Sequence, residues 1–269
     1  MAKFSDVDFT NPDNTFRVSF SGGKDSAAMV IMLLEKGYPV TSIDFMDSKN
    51  EYPELYEYID RVDKYLSEKY NMHINIIPIK EEWEFEKWFY SGYTSGKHKG
   101  EMRGFPKVLS RMCYLTRQKG RMLDRYDTTS YRYIGIGSNE SRRVSDNPRL
   151  LYPLVEWNVT EDQCVEYLKE IDLMPTHKKY YTRSGCWWCP KQSVQSSFSL
   201  YIRHPDLWQR LKTLESESPH GWNLPGRTTD DLELKLKKYV TSGKVDLKKF
   251  LDDKTEDEYE STYQRIMNK

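Results

Sequence analysis

The segment Phe16-Arg17-Val18-Ser19-Phe20-Ser21-Gly22-Gly23-Lys24-Asp25-Ser26-Ala27-Ala28-Met29-Val30-Ile31-Met32-Leu33-Leu34 holds the reading of the fold. Phe16 to Phe20 alternate and are rich in strand formers, which predicts a strand. Ala27 to Lys36 read as a mostly buried helix closed by Gly37. The six residues between them carry two glycines, which tolerate positive φ and allow close backbone approach to a ligand. The helix that follows aims free amides and the positive end of its dipole at this loop. Together they form a site for phosphate. Lys24 adds a point charge, and Ser21 and Ser26 add hydroxyl donors. Asp25 is placed to cap the helix or to help position a metal ion. The spacing is neither GxxxxGK[ST] nor GxGxxG.

Working outward, Val40 to Phe45 predicts a second strand and Tyr52 to Tyr70 a helix, with Leu55, Ile59, Val62 and Leu66 on one stripe. His73 to Ile79 predicts a third strand, Tyr131 to Ile136 a fourth and Leu150 to Val155 a short fifth. Residues 81–130 are aromatic and basic and read as mainly helical. Thr160-Glu161-Asp162-Gln163 has capping-box spacing before Val165, Leu168 and Ile171. Residues 173–195 read as a loop, followed by polar helices over 196–217, 229–240 and 246–268, with turns at His204-Pro205 and His220-Gly221. Alternating strands and helices imply a parallel sheet with right-handed crossovers. The expected fold is α/β: a twisted parallel sheet of about five strands with helices on both faces, then a helical C-terminal region. The expected division is a nucleotide-binding domain over 1–175 and a Cys-bearing loop with helical extension over 176–269.

Composition bounds the function. The chain has 269 residues, 41 Lys+Arg and 41 Asp+Glu, so its formal net charge is zero and a globally polybasic protein is excluded. Aromatics at 14% argue against a disordered chain. No apolar run suits a membrane span and residues 1–6 show no signal-peptide stretch, so a soluble cytoplasmic protein is the expectation. Cys186-x-x-Cys189 in a reducing compartment favours a metal, a cluster or redox chemistry over a disulfide scaffold.

Ser21-Gly22-Gly23-Lys24-Asp25-Ser26 after a first strand resembles the PP-loop of the ATP-pyrophosphatase superfamily, whose fold is HUP/Rossmann-like. Further elements are similar to its phosphoadenylylsulfate (PAPS) reductase branch. These are Met46-Asp47-Ser48 with Glu51-Tyr52-Pro53-Glu54, and Gly104-Phe105-Pro106 before Cys113. Gly135 with Glu140-Ser141-Arg142-Arg143 is another, as is Pro153-Leu154 with Trp157. Arg183-x-Gly185-Cys186-x-x-Cys189-Pro190 closes the series, which covers roughly residues 15–195. Gly137 stands where the branch carries an arginine, which leaves Arg142 and Arg143 as the arginines of that turn. The resemblance implies an adenine nucleotide, ATP with Mg²⁺, whose pyrophosphate lies on residues 21–26. Ribose and adenine would then lie near Asp47, with a phosphate or the base at Gly135, Arg142 and Arg143. Lys24 and Asp25 are the candidate catalytic pair.

The resemblance also groups Cys113 with Cys186 and Cys189. Three thiolates suit a four-iron iron–sulfur cluster with one open iron; Zn²⁺ with a fourth ligand such as His177, or redox-active thiols, are the rivals. Cys164 falls on the helix after Thr160 and reads as core. Thiol-dependent PAPS reductases carry a nucleophilic cysteine near their C-terminus, and no Cys follows Cys189 here, which counts against that mechanism. The leading expectation is therefore an enzyme that cleaves ATP between the α and β phosphates and adenylates an acceptor, with a sulfur donor protein as a candidate partner. The alternatives are a sulfonucleotide reductase and a non-catalytic nucleotide- or nucleic-acid-binding subunit. Lys97, His98, Lys99, Arg103, Lys107, Arg111, Arg117, Lys119, Arg121 and Arg125, near Trp88, Tyr90, Tyr93 and Tyr114, form a candidate nucleic-acid surface.

Overall fold

A computed structural model describes residues 4–106, 114–222 and 227–268. In chain order the elements are β1 (Phe16–Phe20), α1 (Lys24–Glu35), β2 (Ser42–Asp47), α2 (Pro53–Tyr70), β3 (Ile74–Pro78), α3 (Phe85–Tyr90), α4 (Tyr114–Tyr126), β4 (Tyr131–Ile134) and β5 (Leu150–Leu151). They are followed by α5 (Pro153–Glu156), α6 (Glu161–Glu170), α7 (Val194–Arg203), α8 (Pro205–Glu217), α9 (Thr229–Thr241) and α10 (Glu256–Met267). The chain divides into two compact units: residues 1–80 with 116–177, and residues 81–115 with 178–269.

The first unit is built on a five-stranded sheet in the order β3-β2-β1-β4-β5, parallel throughout. Alternation on β1 buries Phe16, Val18 and Phe20 completely or nearly so. α1 buries Ala27, Ala28, Met29, Val30, Ile31 and Leu33, so it is apolar on nearly every side, as a helix packed under neighbours must be. It packs against α2, α5 and α6. The stripe expected on α2 is present, with Leu55, Ile59, Val62 and Leu66 buried. The fifth strand is shorter than its pattern suggests. Pro153 lacks an amide donor and has φ preset for a helix, so it opens α5 two residues after β5 ends.

The order changes direction at β1, whose neighbours are β2 on one side and β4 on the other. Ligands in open α/β sheets bind outside the carboxyl ends of strands at such a switch point. β1 runs directly into residues 21–26 and β4 directly into Gly135, so the topology brings both segments to one place.

The second unit is mostly helical. The stretch 81–106 carries one short helix, α3; residues 91–106 form turns and isolated bridges, Gly92 with Met102 and Tyr93 with Lys99. Glycines recur there every four residues, and Gly96, Gly100 and Gly104 have positive φ, which breaks the helix expected across it. Residues 196–217 form two helices that meet at His204-Pro205. The core of this unit is aromatic: Phe85 stacks on Trp188 with ring centroids 3.5 Å apart, and Phe89 and Phe105 pack beside Phe85. Trp222 donates its indole N–H to the Trp188 carbonyl at 2.7 Å. Among the described residues no helix is long and apolar enough to cross a membrane.

Candidate active site

Gly23 is the N-cap of α1, and no side chain caps the helix. The amides of the first turn therefore keep open donors facing the loop. The loop braces itself with its hydroxyls. Ser26 Oγ donates to the Gly23 carbonyl at 3.0 Å and accepts from the Ser21 amide at 3.2 Å; Ser21 Oγ lies 3.0 Å from Ser26 Oγ. Gly22 has φ +72°, a conformation that favours glycine, and a Cβ there would sit 2.9 Å from Leu55 Cδ1.

Gly135 supplies the second wall. A Cβ on it would lie 2.8 Å from Ser26 Cα and 2.9 Å from the Ser26 amide nitrogen. The turn after β4 therefore rests its backbone directly on the first turn of α1. The next residues form a 3₁₀ turn, Ser138–Arg143, tied to the start of α6. The Ser138 amide donates to the Val159 carbonyl at 2.8 Å, and the Glu161 amide to Asn139 Oδ1 at 3.2 Å. The capping box expected at α6 is present, with Thr160 and Gln163 bonded reciprocally.

Lys24 and Asp25 form a pair. Lys24 Nζ donates to both Asp25 oxygens, at 2.8 and 2.9 Å, and lies 3.3 Å from Glu161 Oε1. Burial works against the ammonium, but Asp25 and Glu161 outweigh it and hold the Lys24 pKa above its usual value. Burial likewise raises Asp25 above the usual carboxylate range, only partly offset by Lys24. Asp25 therefore holds the lysine rather than capping the helix. Its engagement with Glu161 carries no signature in sequence spacing, because the two are joined only through the contact of α1 with α6.

Asp47 ends β2, where its Oδ1 accepts from the Tyr56 hydroxyl and from the Lys49 amide, both at 2.7 Å. Burial and then Asp47 push the Tyr56 phenol well above its usual value, so it remains a donor. Nearby, buried Glu51 accepts from Ser48 Oγ at 3.0 Å and from Lys119 Nζ. Arg142 and Arg143 lie exposed on the 3₁₀ turn, and Arg143 pairs with Glu140.

Cys186 and Cys189 are half-buried in the second unit, in a tight turn closed by the Cys189 amide on the Cys186 carbonyl at 3.1 Å. Arg183 donates to Cys189 Sγ at 3.4 Å. Two sulfurs in one tight turn, beside a cationic donor, suit a thiolate pair on a metal or cluster. Cys113 lies outside the described residues, as do Lys107 and Arg111. Among the described residues no three His, Cys, Asp or Glu gather as a metal site. His177 belongs to the first unit, fully buried, with its ring against Tyr58. Trp187 and Trp188 are buried packing residues, and Cys164 is core. The basic stretch is divided: Lys97 to Arg103 lie in the second unit and Arg117 to Arg125 in the first. Arg103 lies between Trp88 and Tyr93, 5.6 and 5.2 Å from their centroids, and Tyr114 stacks on Trp88 at 4.4 Å.

The phosphoadenosine phosphosulfate reductase domain matches residues 15–192, two thirds of the chain. The chain belongs to this family. Two uncharacterized proteins of Methanocaldococcus jannaschii are curated relatives. One is 22% identical over 218 residues, covering 77% of this chain and 42% of the relative; the other is 21% identical over 215 residues, covering 74% and 47%. The chain thus spans less than half the length of the curated relatives it matches. Among solved structures it is similar to the U34-tRNA thiolase NcsA from Methanococcus maripaludis with its [4Fe-4S] cluster. That similarity has a TM-score of 0.41 and 15% identity, and covers 86% of this chain and 83% of that one. It is also similar to NMN synthetase from Francisella tularensis, with a TM-score of 0.39 and 14% identity, covering 79% and 88%.

Proposed function

We propose that this family member binds ATP with Mg²⁺ at Ser21–Ser26 and uses it to adenylate an acceptor. An acceptor oxygen attacks the α phosphorus, the α–β P–O bond breaks, and pyrophosphate leaves. The observation that supports this reading is the contact of Gly135 with the first turn of α1, because it brings two strand-end backbones together at the helix N-terminus that carries Lys24. The uncapped amides of α1 and the Lys24 ammonium would stabilise charge growing on the leaving pyrophosphate. Asp25 and Glu161 would orient that ammonium, and Asp47 would lie toward the ribose. Adenylation turns a poor leaving oxygen into AMP, which a sulfur or nitrogen nucleophile then displaces.

Cys186 and Cys189, with Cys113, would hold a metal group. A four-iron cluster there would supply an open iron at which sulfur binds, whereas Zn²⁺ would supply structure alone. The acceptor would then be a nucleic acid or a small molecule receiving sulfur. The second reading, reduction of a sulfonucleotide, is favoured by the family description itself.

Incubation with α-labelled ATP and candidate acceptors tests the first reading. AMP and pyrophosphate are the expected products, and Lys24→Ala is expected to lower turnover by roughly 10²–10³, the cost of one charge-stabilising donor. ADP as the only nucleotide product overturns it, and sulfite release from PAPS with thioredoxin replaces it with the second. Anaerobic purification with a visible spectrum and metal analysis separates cluster from zinc.

A further inference from the structure

The second unit carries a cluster of lysines that the adenylation reading does not use. Lys235, Lys237, Lys238, Lys244, Lys248 and Lys249 fall within α9 and the turn after it. Five of them are exposed and Lys237 is half-buried. Several other lysines of this chain make ion pairs, among them Lys24, Lys64, Lys69, Lys87, Lys119, Lys179, Lys212 and Lys254. Among the described residues none of the six does.

Most of the acids flanking them in sequence are engaged elsewhere; Glu256 and Asp257 stand in the first turn of α10. Asp230 and Glu233 hold Lys212, and Asp231 caps α9 through Thr228. Asp252 holds Lys179, Asp253 holds Arg203, and Glu258 caps α10 through Thr255. Asp246, the single acid inside the cluster, accepts the Lys248 amide at 3.0 Å. Among the described residues the six lysines therefore carry charge that no ion pair neutralises, on a chain of zero net charge.

The patch borders a groove of about 430 Å³ lined by Phe198, Tyr239, Phe250, Lys244, Asp246 and Lys249, among others. The ammonium groups of Lys235 and Lys244 sit 5.7 and 5.5 Å from the Tyr239 centroid. Phe198 meets the same ring edge-on at 6.0 Å. Aromatic lining beneath a cationic rim is the pairing that tracks a phosphodiester backbone while offering ring faces to bases. An acidic peptide would use the charge but not the rings.

We propose that the groove between α7, α9 and the turn 243–250 binds single-stranded nucleic acid, its phosphates on Lys235, Lys244 and Lys249 and a base against Tyr239. The surface lies outside residues 97–125 and does not rest on the ATP reading, so binding is measured without nucleotide.

The test is fluorescence anisotropy with a labelled single-stranded 20-mer of mixed sequence, as RNA and as DNA, over a range of KCl. Each phosphate neutralised on a single strand contributes about 0.7 to the log–log salt slope. The double variant Lys244→Gln/Lys249→Gln is therefore expected to flatten that slope by about 1.4 and to weaken binding tenfold or more at low salt. Lys244→Arg/Lys249→Arg is expected to retain it. The charge-matched pair Lys64→Gln/Lys169→Gln, exposed on the first unit, is expected to leave it unchanged. Circular dichroism melts show that the variants fold. No binding by the parent chain overturns the proposal, as does an unchanged slope in the Gln pair or an equal loss in the control pair. Competition by polyglutamate as effective as by oligonucleotide also overturns it, in favour of an acidic protein partner.

Discussion

At Gly135 a hydrogen atom stands where any other residue would carry a carbon, 2.8 Å from the backbone of Ser26. Gly135→Ala must push the β4 turn off α1, so it is expected to lower stability by about 1–3 kcal/mol, the usual cost of overpacking. It should also abolish nucleotide binding, read by calorimetric titration with ATP and by thermal melts. Cys164 offers a second measurement. Burial first, and then the nearby Asp25, push its thiol from 9.0 up to about 12. The native state thus keeps a proton that the unfolded chain gives up. This contribution to stability is full below pH 9.0 and drains away as pH rises toward 12. Iodoacetamide at pH 8 should leave Cys164 unlabelled in the folded protein, and Cys164→Ala should flatten the alkaline fall of the melting temperature; rapid native labelling would contradict this burial. The loop residues themselves were legible in sequence because strand, glycine pair and helix are adjacent. Glu161 was not, since its approach to Lys24 depends on two helices packing, and the pairing of Glu51 with Lys119 escaped because the two lie 68 residues apart.

Among the elements, α6 matters beyond its length. Its capping box fixes Thr160 and Gln163, and its first amide holds Asn139 of the turn that follows Gly135. Thr160→Ala is expected to cost about 1 kcal/mol of stability. It should also weaken nucleotide affinity more than an equally destabilising change on β3 would, because the cap sits beside Glu161. Equal effects on affinity would break the link between α6 and the loop. Strands one to four and helices α1, α2 and α6 followed from local periodicity. The misreadings share a cause in residues that override a pattern: Pro153 converts an apolar run into a helix start, and glycines at 92, 96, 100 and 104 dissolve a helix from 91 to 106, whereas the turn expected at His204-Pro205 is present. The lysines of 235–249 are plain in sequence, but that they lack acidic partners is visible only when those acids are seen paired elsewhere.

Over the whole molecule, the aromatic core of the second unit draws on residues far apart in the chain. Phe85, fully buried against Trp188, is its hinge pin, and Phe85→Ala is expected to cost about 3–5 kcal/mol. The loss should appear in protection of α3 and residues 186–222 by hydrogen exchange, with the sheet amides little changed; uniform loss across both units would show that the two unfold as one. Each unit is made of two chain segments, interleaved so that 81–115 is separated from its partner segment by 116–177. That interleaving sets a timetable for a chain leaving the ribosome. Phe85, Phe89 and Phe105 emerge long before Trp188, and at about 5–20 residues per second they wait several seconds with their rings uncovered. During that interval the newborn chain presents an aromatic patch that still lacks Trp188, the kind of transient exposure that favours aggregation over folding.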